Sequence, residues 1–550
     1  MQSSALSPNT DAQGWLKGRG GLWQFLAPGA ILCVPLLTYA VFLRYPLLTP
    51  SFLLAVSALL LVGAAVGLVI QLRFRVLAPL LLPLLIFLAV DLQMGVDGLL
   101  ALRRGEGLAL FVWLSQWPLI ALIIAFSILS LSVLAAGRNA AQVIVVVCAA
   151  MMLSTLFFGQ RLPATAQPAA TAESAFTEGA TTRDLPPVVY IVFDEHAGLG
   201  GLPPDIPETA AMAEGLAQFY EAAGFRRYDG VLARYGVTLF SISDLLAQRA
   251  QSDFGSLADP HRNQHALESN RLFDLLAKRG YRIEVFQSDY FDFCATGGAA
   301  LATCKVFQRS NVADIRATDL NAFQRAEVLL VTFASRSLTY QTLYRLIMAS
   351  AAAVPPQKPT RQRFRLGTTP NFGAIPSLTV LDEITANLKN APRGVLYFAH
   401  LLIPHRSYLL DETCAVAWPL SRWHLGFETL AADFNTPESR RAGYAAYSAQ
   451  MACLYRKLAA LMAAVETTPG LEDAIIILQG DHGSRLSLTQ NPDFENPDLT
   501  PRERLDAFSA LFAVRAPVVL PGVDRRPLSL RDVLSETIDK LWPDAPKNDP

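Results

Sequence analysis

The chain has 550 residues, of which 52% are hydrophobic, and its 46 basic and 47 acidic residues give a formal net charge of −1 at pH 7. Because there is no basic excess and no basic tract, the sequence predicts no nucleic-acid partner. The first 158 residues contain only eight Lys or Arg and four Asp or Glu, so charge is concentrated in the remainder of the chain.

Five long apolar runs lie in these first 158 residues, and each approaches or exceeds the roughly 20 residues that a helix needs to cross a bilayer. Buried core helices of a soluble protein are the alternative, which the density of apolar residues disfavours. Asp91, near the end of the third run, is the least typical feature of this pattern. The five predicted spans are Phe25 to Leu43, Ser51 to Leu72, Val76 to Met94, Leu108 to Ala135 and Ala140 to Phe158.

Basic residues that flank the runs predict their orientation, because cytoplasmic loops carry more Lys and Arg than loops on the other side. Five basic residues fall on the side of the N-terminus and three on the opposite side: Lys17, Arg19, Arg73, Arg75 and Arg138 against Arg44, Arg103 and Arg104. The N-terminus is therefore predicted inside, and five spans place everything after Phe158 outside the cytoplasm. We expect a multi-pass protein of a bacterial-type inner membrane with a periplasmic soluble part.

A linker, a large soluble domain and a tail are predicted after the transmembrane domain of residues 1–158. Residues 159–187 are rich in Ala, Thr and Pro, which suits a spacer at the membrane surface. From 188 to 522, strand-like and helix-like patterns alternate, which predicts an α/β fold with a mainly parallel sheet. Residues 330–370 are interpreted as an insertion that rests on the membrane, and residues 523–550 as a C-terminal tail. The predicted strands include Arg282 to Phe286, Val395 to Phe398, Ala474 to Leu478 and Phe508 to Val514, and the helices include Asn270 to Arg279, Tyr444 to Val465 and Leu530 to Leu541.

The first strand of the soluble domain, Val188 to Phe193, ends in two acidic residues, Asp194 and Glu195. Since a carboxylate at the end of a buried strand needs a cation or a polar partner, we interpret both as candidate metal ligands. The alternative for Glu195 is a cap on the following segment. His196 is expected to lie outside the ligand set.

Three hydroxyl residues, Thr238, Ser241 and Ser243, follow the predicted second strand and precede a helical run. A hydroxyl close to a metal ion loses its proton more easily and can serve as a covalent nucleophile. The alternative is that these residues only cap the helix, and composition alone favours that alternative.

Four cysteines lie in the soluble domain, where an extracytoplasmic location favours disulfide bonds. Of the three possible connectivities we favour Cys294–Cys304, which is local, together with Cys414–Cys453. A cysteine metal site is disfavoured because there is no Cys-x-x-Cys.

Two histidines, His400 and His405, follow the predicted strand Val395 to Phe398. His405 lies in a loop, where it could donate to a phosphate oxygen or protonate a leaving group. His400 ends a strand and is assigned either to the substrate or to a position behind the metal ligands.

A late apolar run ends in Asp481 and His482, which adjoin Gly480 and Gly483. The glycines are expected to permit a sharp turn. Carboxylate and imidazole together suit Zn²⁺ or Mn²⁺ better than Mg²⁺ or Ca²⁺. Because ligands sit beyond the carboxyl ends of parallel strands, we expect this pair to meet Asp194 at one site. A surface Asp-His turn is the alternative, which the preceding buried run disfavours.

These motifs together resemble the alkaline phosphatase superfamily, and within it the sulfatase-like branch of membrane-bound phosphoethanolamine and phosphoglycerol transferases. That branch is similar in layout, with five spans, a linker and an extracytoplasmic α/β domain. Asp194-Glu195 resembles its first-strand acidic ligand, and Asp481-His482-Gly483 resembles its late Asp-His-Gly. Thr238-Leu-Phe-Ser241 resembles its Thr-x-x-Ser nucleophile pattern, and His405-Arg-Ser-Tyr408 resembles its substrate histidine stretch, without the second Pro.

The resemblance implies a metal-dependent transferase that moves a phospho-headgroup from a membrane lipid donor to an envelope glycan or lipid acceptor. A hydrolase of phosphate or sulfate esters on envelope polymers is one alternative, and a catalytically degenerate envelope assembly or binding protein is another. Implied roles are nucleophile for Thr238, leaving-group acid for His405, metal ligation for Asp194, Glu195, Thr238, Asp481 and His482, and substrate contact for Ser241, His400 and His405.

Two departures from the family pattern refine this expectation. The chain lacks the Cys/Ser-x-Pro-x-Arg stretch of sulfatases, which disfavours arylsulfatase activity. None of its seven histidines lies beyond His482, which favours one main ion and favours phosphoglycerol or another headgroup over phosphoethanolamine.

Overall fold

The chain consists of two compact units. The helical unit comprises Met1–Thr165 and Leu320–Phe364, and the sheet unit comprises Ala166–Asp319 and Arg365–Pro550. The structure, a computed structural model, describes residues 19–104, 118–137, 139–158, 185–247, 265–267, 269–309, 311–337, 371–419, 437–488 and 498–543.

The predicted apolar runs form helices in the helical unit. Within the described residues, four helical segments are long and apolar enough to cross a membrane, Leu22–Phe42, Pro50–Leu72, Val76–Gln93 and Asn139–Phe157. The start of the fourth predicted span, Leu108 to Ala135, lies outside the described residues, so this span stays a prediction. The helices are α1 (Arg19–Phe42), α2 (Pro50–Leu72), α3 (Phe74–Arg104), α4 (Pro118–Ala136) and α5 (Asn139–Phe158).

Glycines let the first two helices approach closely. A Cβ atom at Gly63 of α2 would lie 2.2 Å from the backbone nitrogen of Gly29 in α1, and one at Gly67 would lie 2.8 Å from Phe25 Cα. Small residues four apart are typical of helices that pack backbone to backbone in a membrane. The Gly63–Gly67 spacing therefore fixes the α1–α2 contact.

An eight-stranded sheet forms the centre of the sheet unit, in the order β11-β2-β10-β9-β1-β8-β5-β7. Among its described strands, every neighbouring pair is parallel except the two pairs that β10 makes. The mainly parallel α/β sheet predicted from the sequence is confirmed. The strands are β1 (Val188–Phe193), β2 (Arg226–Tyr228), β3 (Val231–Leu232), β4 (His265–Ala266), β5 (Arg282–Ser288), β6 (Phe291–Asp292), β7 (Leu301–Phe307), β8 (Val395–Leu401), β9 (Ile475–Gly480), β10 (Phe512–Arg515), β11 (Gly522–Asp524) and β12 (Leu528–Ser529).

The central strands β1, β8 and β9 are buried along their whole length, as expected for parallel strands covered on both faces. Helices and short turns connect them. The remaining helices are α6 (Pro207–Ala222), α7 (Thr238–Ile242), α8 (Arg271–Lys278), α9 (Ala322–Ala334), α10 (Ala374–Leu388), α11 (Pro437–Thr467), α12 (Pro501–Phe508) and α13 (Leu530–Leu541). A π-helical turn, Ser243–Ala247, continues α7, and 3₁₀ turns occupy Leu199–Gly201, Cys294–Thr296, Gly298–Ala300 and Val312–Ala317.

Two boundaries differ from those predicted. The strand predicted from Phe508 begins only at Phe512, because Thr500 and Glu503 form a capping box, with Pro501 in the first turn, that starts a helix ending at Phe508. The segment predicted as a tail contributes β11 to the sheet, and α13 after it buries Val533 and Leu534 in the core. Residues up to 542 therefore belong to the fold.

The predicted insertion belongs in part to the helical unit. Helix α9 follows β7 in the chain but packs against α2, and its Phe333 ring lies 5.7 Å from the ring of Tyr39 in α1. Ser337 donates a hydrogen bond to the Asp91 carboxylate of α3. Residues 338–370 lie outside the described part of the chain.

Both predicted cysteine pairs are disulfide bonds, Cys294–Cys304 and Cys414–Cys453. The first joins the turn after β6 to β7, and the second joins the loop after β8 to α11. Each therefore ties a loop of the sheet unit to a regular element. Cys33 and Cys148 of the helical unit are free and buried.

Candidate active site

Three neighbouring strands end at the same level of the sheet. Phe193, the last residue of β1, is aligned with Leu401 at the end of β8 and with Gly480 at the end of β9. The residues that follow β1 and β9 are Asp194 and Asp481, so the register brings their side chains together.

Asp194, Asp481 and His482 form one buried group whose ligand atoms all lie within 4.8 Å of one another. His482 Nε2 lies 3.3 Å from Asp481 Oδ2 and 3.8 Å from Asp194 Oδ1. Asp481 Oδ1 accepts hydrogen bonds from the backbone amides of Glu195 and His482, whereas its Oδ2 has no hydrogen-bond partner among the described residues. Two buried carboxylates that face one imidazole need either a proton or a bound cation.

The protonation of the two β9-end residues suits metal binding. His482 Nδ1 lies 2.9 Å from the Gly483 carbonyl, which can only accept, so Nδ1 carries the proton and Nε2 offers its lone pair. Burial and the positive charge of Arg485 lower the pKa of His482 to about 3, which keeps the imidazole neutral. Burial and the charge of Asp194 raise the pKa of Asp481 well above its usual range. The donor set therefore fits a divalent ion, whose positive charge would balance the negative charges of the two carboxylates.

Thr238 is the hydroxyl that faces this group. Its Oγ1 lies 3.2 Å from Asp194 Oδ1 and 3.2 Å from His482 Nε2, and the residue begins helix α7. Ser241 instead donates to the backbone carbonyl of Asp481, and Ser243 donates to Leu239 O at 2.7 Å. Ser241, predicted to contact substrate, thus holds the β9 end in place.

The glycines beside the Asp-His pair serve a purpose other than the predicted turn. A Cβ atom at Gly480 would lie 2.1 Å from His196 O, and one at Gly483 would lie 2.0 Å from Asp506 O. Both positions need glycine because other backbone segments approach them closely. The loop after β9 is thereby packed against the loop after β1 and the end of α12.

Glu195, predicted as a metal ligand, lies outside the metal-binding group of the described residues. Its φ of +65° is in the left-handed region, and its fully buried carboxylate pairs with two arginines. Arg485 Nη2 donates to Glu195 Oε1, and Arg406 Nε lies 3.5 Å from the same oxygen. Burial raises the pKa of Glu195, but the charges of Arg406 and Arg485 outweigh it and hold that pKa well below its usual range.

The two arginines were missed in the sequence, although each adjoins a motif that was singled out. Arg406 follows His405, and Arg485 comes two residues after Gly483. The sequence signal that could have found them is a basic residue one or two positions after a motif at a strand end. Arg485 also has a left-handed φ of +58°, a conformation that is uncommon for a side chain of this size.

His405 and His400 occupy different environments. The His405 side chain is 24% exposed, and its Nε2 lies 3.9 Å from Glu195 Oε1, while its Nδ1 lies 3.1 Å from Asn371 Nδ2. His400 is fully buried beside the ring of Phe293, with neither ring nitrogen hydrogen-bonded among the described residues, and burial lowers its pKa to about 4. His405 is thus accessible to a substrate, and His400 lies behind the site.

Comparison with known proteins gives similarity of fold only. No protein-family model and no curated protein matches the sequence. Similar solved structures include a phosphonate monoester hydrolase of Agrobacterium radiobacter (13% identity, 65% of this chain and 73% of that chain, TM-score 0.38). A 2-O GAG sulfatase (12%, 67% and 72%, 0.37) and an alkaline phosphatase superfamily protein from Vibrio parahaemolyticus (11%, 64% and 66%, 0.31) are also similar. TM-scores this low do not assign the chain to a family.

Proposed function

We propose that this protein is a membrane-anchored, metal-dependent phospho-headgroup transferase of the sulfatase-like branch of the alkaline phosphatase superfamily. Its donor is a membrane lipid, and its acceptor is an envelope glycan or lipid outside the cytoplasm. The observation that carries the proposal is the Thr238 hydroxyl, 3.2 Å from both Asp194 Oδ1 and His482 Nε2. A nucleophile is activated in this way when its oxygen lies among the groups that bind a cation.

The residues suffice for a two-step transfer. Thr238, after giving its proton to solvent, forms a bond to the donor phosphorus, and the bond to the diacylglycerol oxygen breaks as His405 protonates that oxygen. Diacylglycerol leaves, and the phospho-headgroup stays on Thr238. An acceptor hydroxyl then gives its proton to His405 and bonds to the same phosphorus, and Thr238 is released and reprotonated.

Asp194, Asp481, His482 and Thr238 would hold the ion. The atoms that favour a fit are the neutral His482 Nε2 and Asp481 Oδ2, which accepts no hydrogen bond from the described residues. A bound divalent ion supplies positive charge that favours an ionised hydroxyl and offsets negative charge on the transferring group. The imidazole favours Zn²⁺ or Mn²⁺ over Mg²⁺ or Ca²⁺.

Helix α9 supports an extracytoplasmic location of the reaction. Although α9 lies between the sheet strands β7 and β8 in the chain, it contacts Tyr39 near the end of α1, and Ser337 just after it contacts Asp91 near the end of the span Val76–Gln93. The distribution of basic residues assigns both of these helix ends to the outside.

Mass analysis of a trapped adduct tests the proposal. The metal-loaded full chain, placed in nanodiscs of phosphatidylglycerol or of phosphatidylethanolamine, should gain one phospho-headgroup on Thr238. Thr238→Ala should fold, keep its metal and form no adduct. Ser243→Ala is the matched control, because its hydroxyl bonds a helix carbonyl, and it should form the adduct normally. Headgroup transfer by a folded Thr238→Ala protein at the parent rate would exclude this role. Release of the headgroup to water alone, with added glycan or lipid acceptors present, would indicate a hydrolase.

A further inference from the structure

A cavity of about 250 Å³ lies within the sheet unit, on the face of the sheet that α10 covers. Strands β5 and β7 form its floor, because Phe286 and Lys305 are aligned neighbours on these strands and point to the same face. Ile375 and Val380 of α10 form one wall, and the 3₁₀ turn Val312–Ala317 forms another. The described residues that line the cavity share no member with the metal-binding group, so the cavity is separate from the candidate active site.

The size and the lining of the cavity limit its ligand. Its volume lies just below the range of about 300 to 1,000 Å³ that is typical of sites for drug-sized molecules. Water occupies about 30 Å³ per molecule in the liquid, so the space corresponds to about eight water molecules. Most of the lining is apolar, and two of its side chains, Phe286 and Phe307, are aromatic. A small organic molecule with an apolar body, on the order of ten non-hydrogen atoms, therefore fits.

Asp314 contributes a carboxylate to the lining of this cavity. Its Oδ1 accepts a hydrogen bond from Asn311 Nδ2 at 3.3 Å, so the donor is a neutral amide. Burial raises the pKa of Asp314 to about 7, and the charge of Arg316 only partly offsets this rise. A carboxylate that has lost water in this way gains most from a ligand that carries a positive charge.

The other two charged residues of the lining pair with each other. Lys305 Nζ contacts Glu383 Oε1, and the same nitrogen lies 5.4 Å from the centroid of the Phe286 ring. The aromatic floor thus accepts a cation from the protein itself. Since this pair is neutral, Asp314 gives the lining a net charge of −1 when all three groups are ionised. Complementary charge therefore favours a cationic ligand over an anionic one.

We propose that this cavity binds a small organic cation, an amine with an apolar or aromatic body, whose ammonium group pairs with Asp314. The body of the ligand contacts Phe307 of β7 and the Ile375 and Val380 side chains of α10. The ion pair selects the charge of the ligand, and the apolar walls select its body. This site goes beyond the proposed function, because it uses neither Thr238 nor the metal-binding group.

Titration calorimetry of the metal-loaded full chain in detergent at pH 8 tests the site with two probes of nearly equal shape, 2-phenylethylamine and 2-phenylethanol. At this pH Asp314 is mostly ionised and the amine is protonated. The bound metal keeps Asp194 and Asp481 from offering a second anionic site. The parent should bind the amine with a Kd of about 1 mM or tighter, and the alcohol about tenfold more weakly, because only the ammonium group forms a charged hydrogen bond with the carboxylate.

Two variants of the lining test where the probe binds. Asp314→Asn keeps the shape and removes the charge, so it should bind the amine about tenfold more weakly and the alcohol as the parent does. Thr379→Trp places an indole ring at the exposed rim of the cavity and should weaken the binding of both probes. The matched control is Asp382→Asn, which removes a carboxylate that pairs with Lys457 on the same helix outside the cavity and should bind as the parent does.

Parental affinity for the amine in either Asp314→Asn or Thr379→Trp overturns the proposal. Equal affinity of the parent for the amine and the alcohol, or a parent that binds neither, also overturns it. Tighter binding of 3-phenylpropanoate than of the amine would identify Lys305 as the partner and would reject a cationic ligand. Cooperative thermal unfolding checks the fold of each variant, and if one of the two lining variants does not fold, the other decides.

Discussion

Asp481→Asn should stabilise the metal-free protein and should reduce the stabilisation that bound metal provides. The amide oxygen can still accept from the backbone amides of Glu195 and His482, as Oδ1 does now. The amide NH₂ would replace Oδ2, which lies 3.3 Å from His482 Nε2 and has no hydrogen-bond partner in the described part of the chain, and it could donate to that nitrogen. The substitution also removes one of two carboxylates that face each other.

The gain in the metal-free protein follows from that carboxylate pair. The ligand atoms of Asp194 and Asp481 lie within 4.8 Å of one another. Two unit charges 4.8 Å apart repel by about 3.5 kcal/mol at an effective dielectric constant of about 20. Because the pKa of Asp481 is raised, protonation relieves part of this repulsion, and the gain in stability is smaller than the full repulsion. We expect the melting temperature of the chelated protein to rise by a few degrees.

Thermal unfolding of the purified full chain, with chelator and with Mn²⁺ or Zn²⁺, measures both effects. Chelated Asp481→Asn should melt above the chelated parent, and added metal should raise its melting temperature much less. Asp506→Asn is the control, because this buried carboxylate accepts from Tyr444, Ser484 and Ser487, and an NH₂ group there faces donors. That variant should be less stable with or without metal. Chelated Asp481→Asn that melts as far below the parent as the control does would refute the carboxylate pairing.

Two further predictions concern other parts of the chain. The double variant Tyr39→Cys with Phe333→Cys should form a disulfide on mild oxidation in membranes, because the two rings lie 5.7 Å apart. Tyr39→Cys with Phe323→Cys should not form one, because Phe323 is 73% exposed. Equal cross-linking of both pairs would contradict the packing of α9 against α1. Burial raises the pKa of Asp314 to about 7, so its folded form stays protonated to higher pH than its unfolded form, and the stability of the parent falls as pH rises from about 4 to 7. Asp314→Asn should therefore raise the melting temperature at pH 8 and leave it unchanged near pH 4, and an equal shift at both values would refute the assignment.

The parts of the site that follow local rules could be predicted from the sequence. Uninterrupted apolar runs ending in Asp194 and Asp481 marked parallel strands, and the shared edge of such strands put the two side chains together. The disulfide pairs followed from compartment and proximity. Thr238 rested on a family pattern, because local composition favoured a simple helix cap.

The parts that depend on long-range packing could not be predicted. Glu195 adjoins Asp194, and only the left-handed backbone and the arrival of Arg406 and Arg485 from distant loops decide that it binds guanidinium instead of metal. Helix α9 carries no sequence sign of its partner, since an apolar face is equally suited to the sheet and to the apolar helices. The sequence pattern therefore predicts which residues lie at the sheet edge, but it does not predict which of them join the metal-binding group.

Helix α11 holds the loops after β1 and β8 in place. Tyr447 donates to Glu195 O at 3.0 Å and accepts from the Ala197 amide at 3.1 Å, so it holds the left-handed turn that presents Glu195. One turn further along, the buried Gln450 donates to His405 O at 3.3 Å and accepts from the Leu409 amide at 2.9 Å. The disulfide from Cys414 to Cys453 ties the same helix to the same loop. Since one rigid helix holds both the turn that carries Glu195 and the loop that carries His405, these two segments can stay ordered whether or not an ion is bound.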